Sequence, residues 1–126
     1  MPFIPGENEN FVNAQLISKM KDGVILVNTA RGEILSEPDV IAALESGKIS
    51  RFACDVVQNE KKLFGKKNDT IEDPNHAKLV GMFPKVLMTQ HCGSATDQAL
   101  IGMIETSLKN CDKFIECGKG ENSLIK

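Results

Sequence analysis

Four side chains suited to acid–base chemistry lie at or after the ends of apolar stretches of this chain. Arg31 follows the first stretch, Asp55 with Glu60 lies at the end of the second, and His91 follows the third. A guanidinium holds anions through paired hydrogen bonds, an imidazole exchanges protons near neutral pH, and a carboxylate can orient that imidazole. The four residues therefore supply the groups that anion binding and proton transfer require.

Each of these residues taken alone also has an ordinary structural interpretation. A single loop arginine such as Arg31 is usually solvated, Glu60 begins a charged stretch, and a lone histidine such as His91 is usually a hydrogen-bonded structural residue. Asp55 is harder to explain in this way, because an unpaired acid in a buried strand is costly. The combination is better evidence for a site than any one member.

The apolar stretches themselves predict the framework that positions these side chains. Val24–Asn28, Phe52–Val57 and Val86–Thr89 are short, apolar and rich in valine. Continuous runs of this kind, without alternation, are typical of strands buried on both faces of a parallel sheet. Ligands bind beyond the carboxyl ends of such strands, so the residues that follow them should meet at one edge.

Helical patterns separate and follow the strands. Asn13 is a candidate N-cap for a short helix, and Ser36 with Asp39 resembles a capping box ahead of a helix that ends at Gly47. Asp73 is placed to begin another short helix. An apolar stripe at helical spacing then predicts a long C-terminal helix over about 94–117.

Composition and charge exclude several classes of protein. The 126 residues are 41% hydrophobic and 25% charged, with a formal net charge of −2, which gives no electrostatic footprint for nucleic acid or an anionic membrane. The chain shows neither a secretory signal nor a membrane-spanning run, so we expect a cytoplasmic protein with reduced cysteines. His76 and His91 lack companion ligands at useful spacing, so no metal site is predicted.

Three motifs give the sequence a family resemblance. Val27–Gly32 reads VNTARG, Asp55 and Glu60 stand in a D-V-x-x-x-E pattern, and His91 follows in T-x-H. These motifs, with steps of 29 residues from Arg31 to Glu60 and 31 from Glu60 to His91, resemble the D-isomer-specific 2-hydroxyacid dehydrogenases. The segments 61–85 and 93–99 look most like the (R)-2-hydroxyglutarate and D-lactate dehydrogenase branch.

The resemblance implies the latter half of a Rossmann-like, doubly wound parallel α/β sheet, with about three strands, flanking helices and the long helix at about 94–117. Residues 1–126 would then form a partial NAD-binding domain. No G-x-G-x-x-G fingerprint occurs anywhere in the chain, nor the acidic residue that reads the cofactor's ribose. The resemblance therefore implies the C-terminal portion of a larger enzyme.

The same resemblance implies roles for individual residues. Arg31 would grip the carboxylate of a 2-oxo acid and polarise its carbonyl, His91 would exchange the proton of the ketone or alcohol oxygen, and Glu60 would hydrogen-bond the imidazole and favour its charged form. NAD would carry the hydride. The residues expected to contact the cofactor are Pro2, Asn8, Thr29, Ala30, Arg31 and Asp55.

Two functions stay open at this point. The first is the C-terminal portion of an NAD-dependent oxidoreductase that interconverts a small D-2-hydroxy acid and a 2-oxo acid, inactive on its own. The alternative is a non-catalytic remnant or binding module that pairs with another chain. A homodimer or a complementing chain is the expected partner, and nucleic acid and membrane are not. Gln90 stands where the family usually has proline, which could loosen the placement of His91.

Overall fold

The structure, a computed structural model, describes residues 1–63 and 71–118. The chain divides into two compact units, Met1–His91 and Cys92–Lys126. The elements in chain order are α1 (Ala14–Ser18), β1 (Val24–Asn28), α2 (Glu37–Ser46), β2 (Ile49–Cys54), α3 (Pro74–Gly81), β3 (Val86–Met88) and α4 (Asp97–Cys117). Residues 64–70, within the segment used for the branch resemblance, lie outside the described part.

The three strands of the first unit form one parallel sheet in the order β1–β2–β3. Asn28 pairs with Cys54, and Cys54 pairs with Met88, so the three strands reach their carboxyl ends in one row. The prediction of an α/β fold with three parallel strands, flanking helices and a long C-terminal helix is confirmed.

The hydrophobic core lies between α2, α3 and one face of the sheet. Val40 and Leu44 of α2 pack with Phe52 of β2, Leu79 of α3 and Val86 of β3. Burial of these side chains, at about 1.5–3 kcal/mol each, is the main favourable contribution to the fold of this unit.

The opposite face of the sheet differs from the sequence-based expectation. Ile25 and Val27 are 63% and 60% exposed, and Leu87 is exposed beside them. The prediction that β1 is buried on both faces is therefore wrong, because the helices of this unit cover only the face that carries Val24 and Leu26. An apolar surface is therefore exposed on this face of the sheet, with Ile25 and Val27 on the edge strand β1.

Two of the predicted helix caps are formed, and one predicted capping box is not. Asn13 caps α1 by accepting the backbone N–H of Leu16 at 3.1 Å, and Gly47 ends α2 in the left-handed region with φ 80°. Ser36 is the N-cap of α2 but makes no side-chain cap bond, so the capping box is not formed. Asp39 instead accepts the N–H of Ala14 at 2.9 Å and ties α1 to α2.

A buried polar cluster joins α2 to α3. Glu37 and His76 are both buried, and Oε1 of Glu37 lies 3.4 Å from Nε2 of His76. Burial raises the pKa of Glu37, while the backbone N–H of Gln58 and the imidazole of His76 act in the opposite direction. Asp73 lies close to both. The expectation that His76 lacks companion ligands is wrong, because both carboxylates come from distant parts of the sequence.

The second unit contains α4. Its N-cap is Thr96, whose hydroxyl accepts the N–H of Ala99 at 3.2 Å, and it ends at Gly118 with φ 70°. The predicted apolar stripe runs along the helix, and its members include Leu100, Ile104, Leu108 and Ile115. Among the described residues, no helix is both long and apolar enough to cross a membrane.

Among the described glycines of this unit, Gly32 lies closest to the backbone of another segment. A Cβ there would lie 2.0 Å from the carbonyl carbon of Val57 and 2.4 Å from the nitrogen of Gln58. Only a residue without a side chain allows the turn after β1 to lie against the segment that leaves β2.

We predict that Gly32→Ala lowers the free energy of unfolding by about 3 kcal/mol or more, because neither backbone can yield without displacing its strand exit. Gly81→Ala is the matched control, since a Cβ at Gly81 meets nothing within 4 Å; it should be neutral or stabilising by up to about 1 kcal/mol. Urea unfolding followed by circular dichroism measures both. Equal stabilities of the two variants would contradict the close approach.

We also predict that one of the four thiols resists modification. Cys54 is buried, and its burial together with the carboxylates of Glu37 and Asp55 raises its pKa to about 12, so little thiolate forms at pH 8. An aromatic disulfide reagent should modify three thiols rapidly and the fourth only after urea is added. In Cys54→Ala the slow phase should vanish and the fast phase should stay at three; four fast thiols in the unaltered chain would refute this.

Candidate active site

The three strand exits are joined by backbone hydrogen bonds that continue the sheet beyond its last paired residues. The N–H of Asp55 donates to the carbonyl of Asn28 at 3.0 Å, and the N–H of Thr89 donates to Cys54 at 2.9 Å. The N–H of His91 then donates to the carbonyl of Asp55 at 2.8 Å. The loops that carry the predicted site residues are therefore fixed relative to one another.

Asn28 shapes the turn that carries Arg31. This buried side chain accepts the N–H of Ala30 at 3.1 Å through Oδ1 and donates to the carbonyl of Arg31 at 2.9 Å through Nδ2. Thr29, Ala30 and Arg31 are thereby held in a compact turn at the end of β1. No role was predicted for Asn28 from the sequence. The signal for it was its place as the last residue of an apolar strand, directly before the turn.

The Arg31 side chain is exposed at this edge. Its Nη1 donates to the carbonyl of Ala30 at 2.8 Å, so the guanidinium folds back over its own turn. Asn28 links this turn to Asp55, because its side-chain amide donates to the carbonyl of Arg31 and its backbone carbonyl accepts the N–H of Asp55.

Glu60 and His91 are brought together although 31 residues separate them. Oε1 of Glu60 lies 2.7 Å from Nδ1 of His91, with the two side chains 29% and 39% exposed. An ionised carboxylate only accepts, so the tautomer that suits this contact carries its proton on Nδ1. In that tautomer the other ring nitrogen, Nε2, is left to exchange a proton with a ligand.

The backbone is in the left-handed region at His91 and at the residue before Glu60. Asn59, directly before Glu60, has φ 51°, and His91 itself has φ 48°. Asparagine adopts this left-handed region readily, whereas histidine does so seldom, and such conformations persist only where the surroundings enforce them. At His91 the bond to Asp55 and the pair with Glu60 provide that enforcement.

Asp55 lies at the centre of the edge. Its carboxylate accepts a short hydrogen bond from the hydroxyl of Thr89, a residue that the sequence motif contained but that was not assigned a role. A small cavity of about 90 Å³ opens between the exits of all three strands on the open face of the sheet. It is lined by Val27, Thr29, Ala53, Cys54, Asp55, Leu87 and Thr89.

This cavity has apolar walls and a polar rim. Its walls are apolar side chains of the strands, and its rim carries the carboxylate of Asp55 and the hydroxyl of Thr89, which can pair with an amide. Of the predicted cofactor residues, Thr29 and Asp55 line it directly.

Pro2 and Asn8, the two predicted cofactor residues of the N-terminal loop, contact each other. Nδ2 of Asn8 donates to the carbonyl of Pro2 at 2.8 Å, and Oδ1 of Asn8 accepts the N–H of Ile4 at 2.8 Å. This loop leads to Asn10, whose N–H donates to Glu33 at 2.9 Å beside the Arg31 turn. Asn8 thus shapes the loop, and its contact with a cofactor stays a prediction.

Known proteins resemble both the sequence and the structure. Residues 3–93 match the family model described as D-isomer specific 2-hydroxyacid dehydrogenase, NAD binding domain. An aromatic 2-oxoacid reductase of Clostridium sporogenes is 36% identical over 121 residues, and a D-lactate dehydrogenase of Lactiplantibacillus plantarum is 36% identical over 120 residues. Each alignment covers 94% of this chain and 36% of the relative.

Solved structures agree in fold. The crystal structure of D-lactate dehydrogenase with NAD⁺ from Lactobacillus jensenii superposes with a TM-score of 0.88 at 30% identity, covering 100% of this chain and 38% of that one. A D-lactate dehydrogenase from Treponema pallidum gives a TM-score of 0.86 at 33% identity. The chain therefore spans little more than a third of the length of the proteins it matches. On these grounds the chain belongs to the D-isomer-specific 2-hydroxyacid dehydrogenase family, within the NAD-binding domain of that family.

Proposed function

We propose that this chain supplies the acid–base and carboxylate-binding residues of an NAD-dependent D-2-hydroxyacid dehydrogenase, and that it has no turnover by itself. The observation that carries the proposal is the pair formed by Glu60 and His91, with 2.7 Å between Oε1 and Nδ1 at the carboxyl edge of a parallel sheet. Hydrogen bonds through Asp55 and Asn28 link His91 to the turn of Arg31, and the family supplies the reaction class.

In this proposal each residue has one task. His91 exchanges a proton through Nε2 with the oxygen at C2 of the substrate, and Glu60 keeps the ring in the required tautomer and orientation. The guanidinium of Arg31 breaks its hydrogen bond with the carbonyl of Ala30 and binds the substrate carboxylate through two parallel hydrogen bonds. It also polarises the 2-oxo group of the substrate.

The cofactor residues follow from the cavity at the strand ends. Asp55 and Thr29 would hold the nicotinamide end of NAD there, with Ala30, Arg31, Pro2 and Asn8 along its path. When bound, NAD accepts or supplies the hydride. The chain carries no G-x-G-x-x-G segment for the pyrophosphate, which is why we infer that cofactor binding and catalysis need further structure.

The alternative is a non-catalytic module that pairs with another chain. The observation that favours it is the exposed apolar face of the sheet at Ile25, Val27 and Leu87, next to the unpaired edge of β1. A homodimer or a complementing chain could cover this face. We also propose a cytoplasmic location, on the cysteine pattern of the sequence.

The test is a chimera in which this chain replaces the matching third of the Lactiplantibacillus plantarum D-lactate dehydrogenase. We expect the isolated chain to show no oxidation of NADH with pyruvate or 2-oxoglutarate, and the chimera to regain 2-oxo acid reduction. Turnover by the isolated chain would refute the inactivity. A folded, NADH-binding chimera without activity would favour the non-catalytic alternative.

Substitutions in the chimera assign the roles. His91→Gln should lower kcat by about 10²–10⁴-fold, because the proton donor is lost. Arg31→Lys should raise the KM for the 2-oxo acid by about tenfold or more, since a lysine cannot make both hydrogen bonds. Asp22→Asn, at an exposed pair with Lys48, is the control and should leave both constants unchanged. A His91→Gln chimera as active as this control would exclude the proposed role of His91.

A further inference from the structure

A second cluster of ionisable side chains lies apart from the pair of Glu60 and His91. Glu37 is the first residue of α2, Asp73 is the N-cap of α3, and His76 is in the first turn of α3. One potential ligand atom from each residue lies within 4.8 Å of the other two. All three belong to the unit Met1–His91.

Nε2 of the His76 imidazole faces this cluster and makes no hydrogen bond with the described residues. The residue is 1% exposed, and its Nε2 is the buried side-chain nitrogen or oxygen that lacks a hydrogen-bond partner among the described residues. Oε1 of Glu37 is 3.4 Å away, close enough for an ion pair but not in hydrogen-bond geometry. A native structure seldom leaves such a buried nitrogen unsatisfied.

The two carboxylates are each oriented by backbone donors through one oxygen. Oε1 of Glu37 accepts the N–H of Gln58 at 2.8 Å. Oδ1 of Asp73 accepts the N–H of Asn75 at 2.9 Å and that of His76 at 3.3 Å. No described residue donates to their second oxygens. Carboxylates held in this way, with coordination capacity to spare, are typical of metal ligands that outer hydrogen bonds orient.

We propose that Glu37, Asp73 and His76 bind a divalent transition-metal ion of the zinc type, which links α2 to α3. Zinc takes imidazole nitrogen and carboxylate oxygen at about 2.0–2.2 Å, which sets neighbouring ligand atoms of a tetrahedral site about 3.3–3.5 Å apart. The 3.4 Å between Nε2 of His76 and Oε1 of Glu37 matches that separation.

The chemistry of the donors selects the ion class. An imidazole nitrogen favours zinc and related transition metals over magnesium or calcium, which prefer oxygen alone. Two ionised carboxylates balance the charge of a divalent cation in a buried place. Asp73 is only partly buried, so a water molecule can complete the coordination from that side.

The simplest competing occupant is a proton shared between Glu37 and His76. In that case the pair is a structural ion pair, and zinc has no effect on it. The two occupants differ in a measurable way. A bound metal also contacts Asp73, and it occupies the lone pair of Nε2 of His76, which then cannot be protonated.

The test titrates the reduced, metal-free chain with ZnCl₂ in competition with a fluorescent zinc chelator, with the imidazole resonances followed by NMR. The chain has two histidines, so the signals are readily separated. We expect one equivalent of zinc to bind, to shift the His76 signals and to raise Tm. Signals that shift only at His91, or no binding at micromolar free zinc, would overturn the proposal.

Asp73→Asn is the decisive variant. Asparagine is as good an N-cap as aspartate, so α3 is retained while the charge and one ligand are lost; zinc affinity should fall by about tenfold or more. Glu45→Gln is the matched control, since Glu45 joins the same two helices through Lys78 at 2.7 Å without touching the cluster. Equal zinc affinity in Asp73→Asn and Glu45→Gln would show that zinc binds elsewhere on the chain.

Discussion

The site depends on the backbone hydrogen bonds that join the strand exits. Parallel strands end in one row at Asn28, Cys54 and Met88. The bonds from Asp55 to Asn28 and from His91 to Asp55 carry that alignment into the loops. Every side chain assigned a catalytic role leaves the sheet within a few residues of these bonds. The precision of the site is therefore a property of the sheet rather than of the loops alone.

Gly32 and the polar residues around it connect the turn after β1 to the segment that leaves β2. The backbone of Gly32 touches Val57, and the side chain of Gln58 donates to the carbonyl of Leu35 at 2.6 Å. Glu37 accepts the N–H of Gln58, so the same residue that begins α2 also fixes the path toward Glu60. The candidate metal cluster and the candidate active site are thus connected by one short stretch of backbone.

Much of this arrangement could be predicted from the sequence because it depends on local pattern. Apolar runs located β1 and β3, and the residues after the strands located the edge where Glu60 and His91 meet. The second strand was placed three residues too late, at Phe52–Val57, because its first half, Ile49–Arg51, is polar in part. Contacts between distant segments could not be predicted. No pattern in the sequence near Gly32 indicates its contact with Val57. Glu37 and His76, which lie side by side, are 39 positions apart in the chain. The prediction that β1 is buried on both faces was wrong for the same reason. An apolar run shows that a strand can be covered but not what covers it.

The side chain of Asn28 uses both ends of its amide within one turn, accepting from Ala30 and donating to the carbonyl of Arg31. An isosteric aspartate could keep the first bond but would set a carboxylate oxygen against a carbonyl oxygen at the second. Exchange of a single NH₂ group for oxygen, the change that spontaneous deamidation makes, would repel the very carbonyl that anchors Arg31. At this position, the deamidation of one amide would disrupt the turn that carries Arg31.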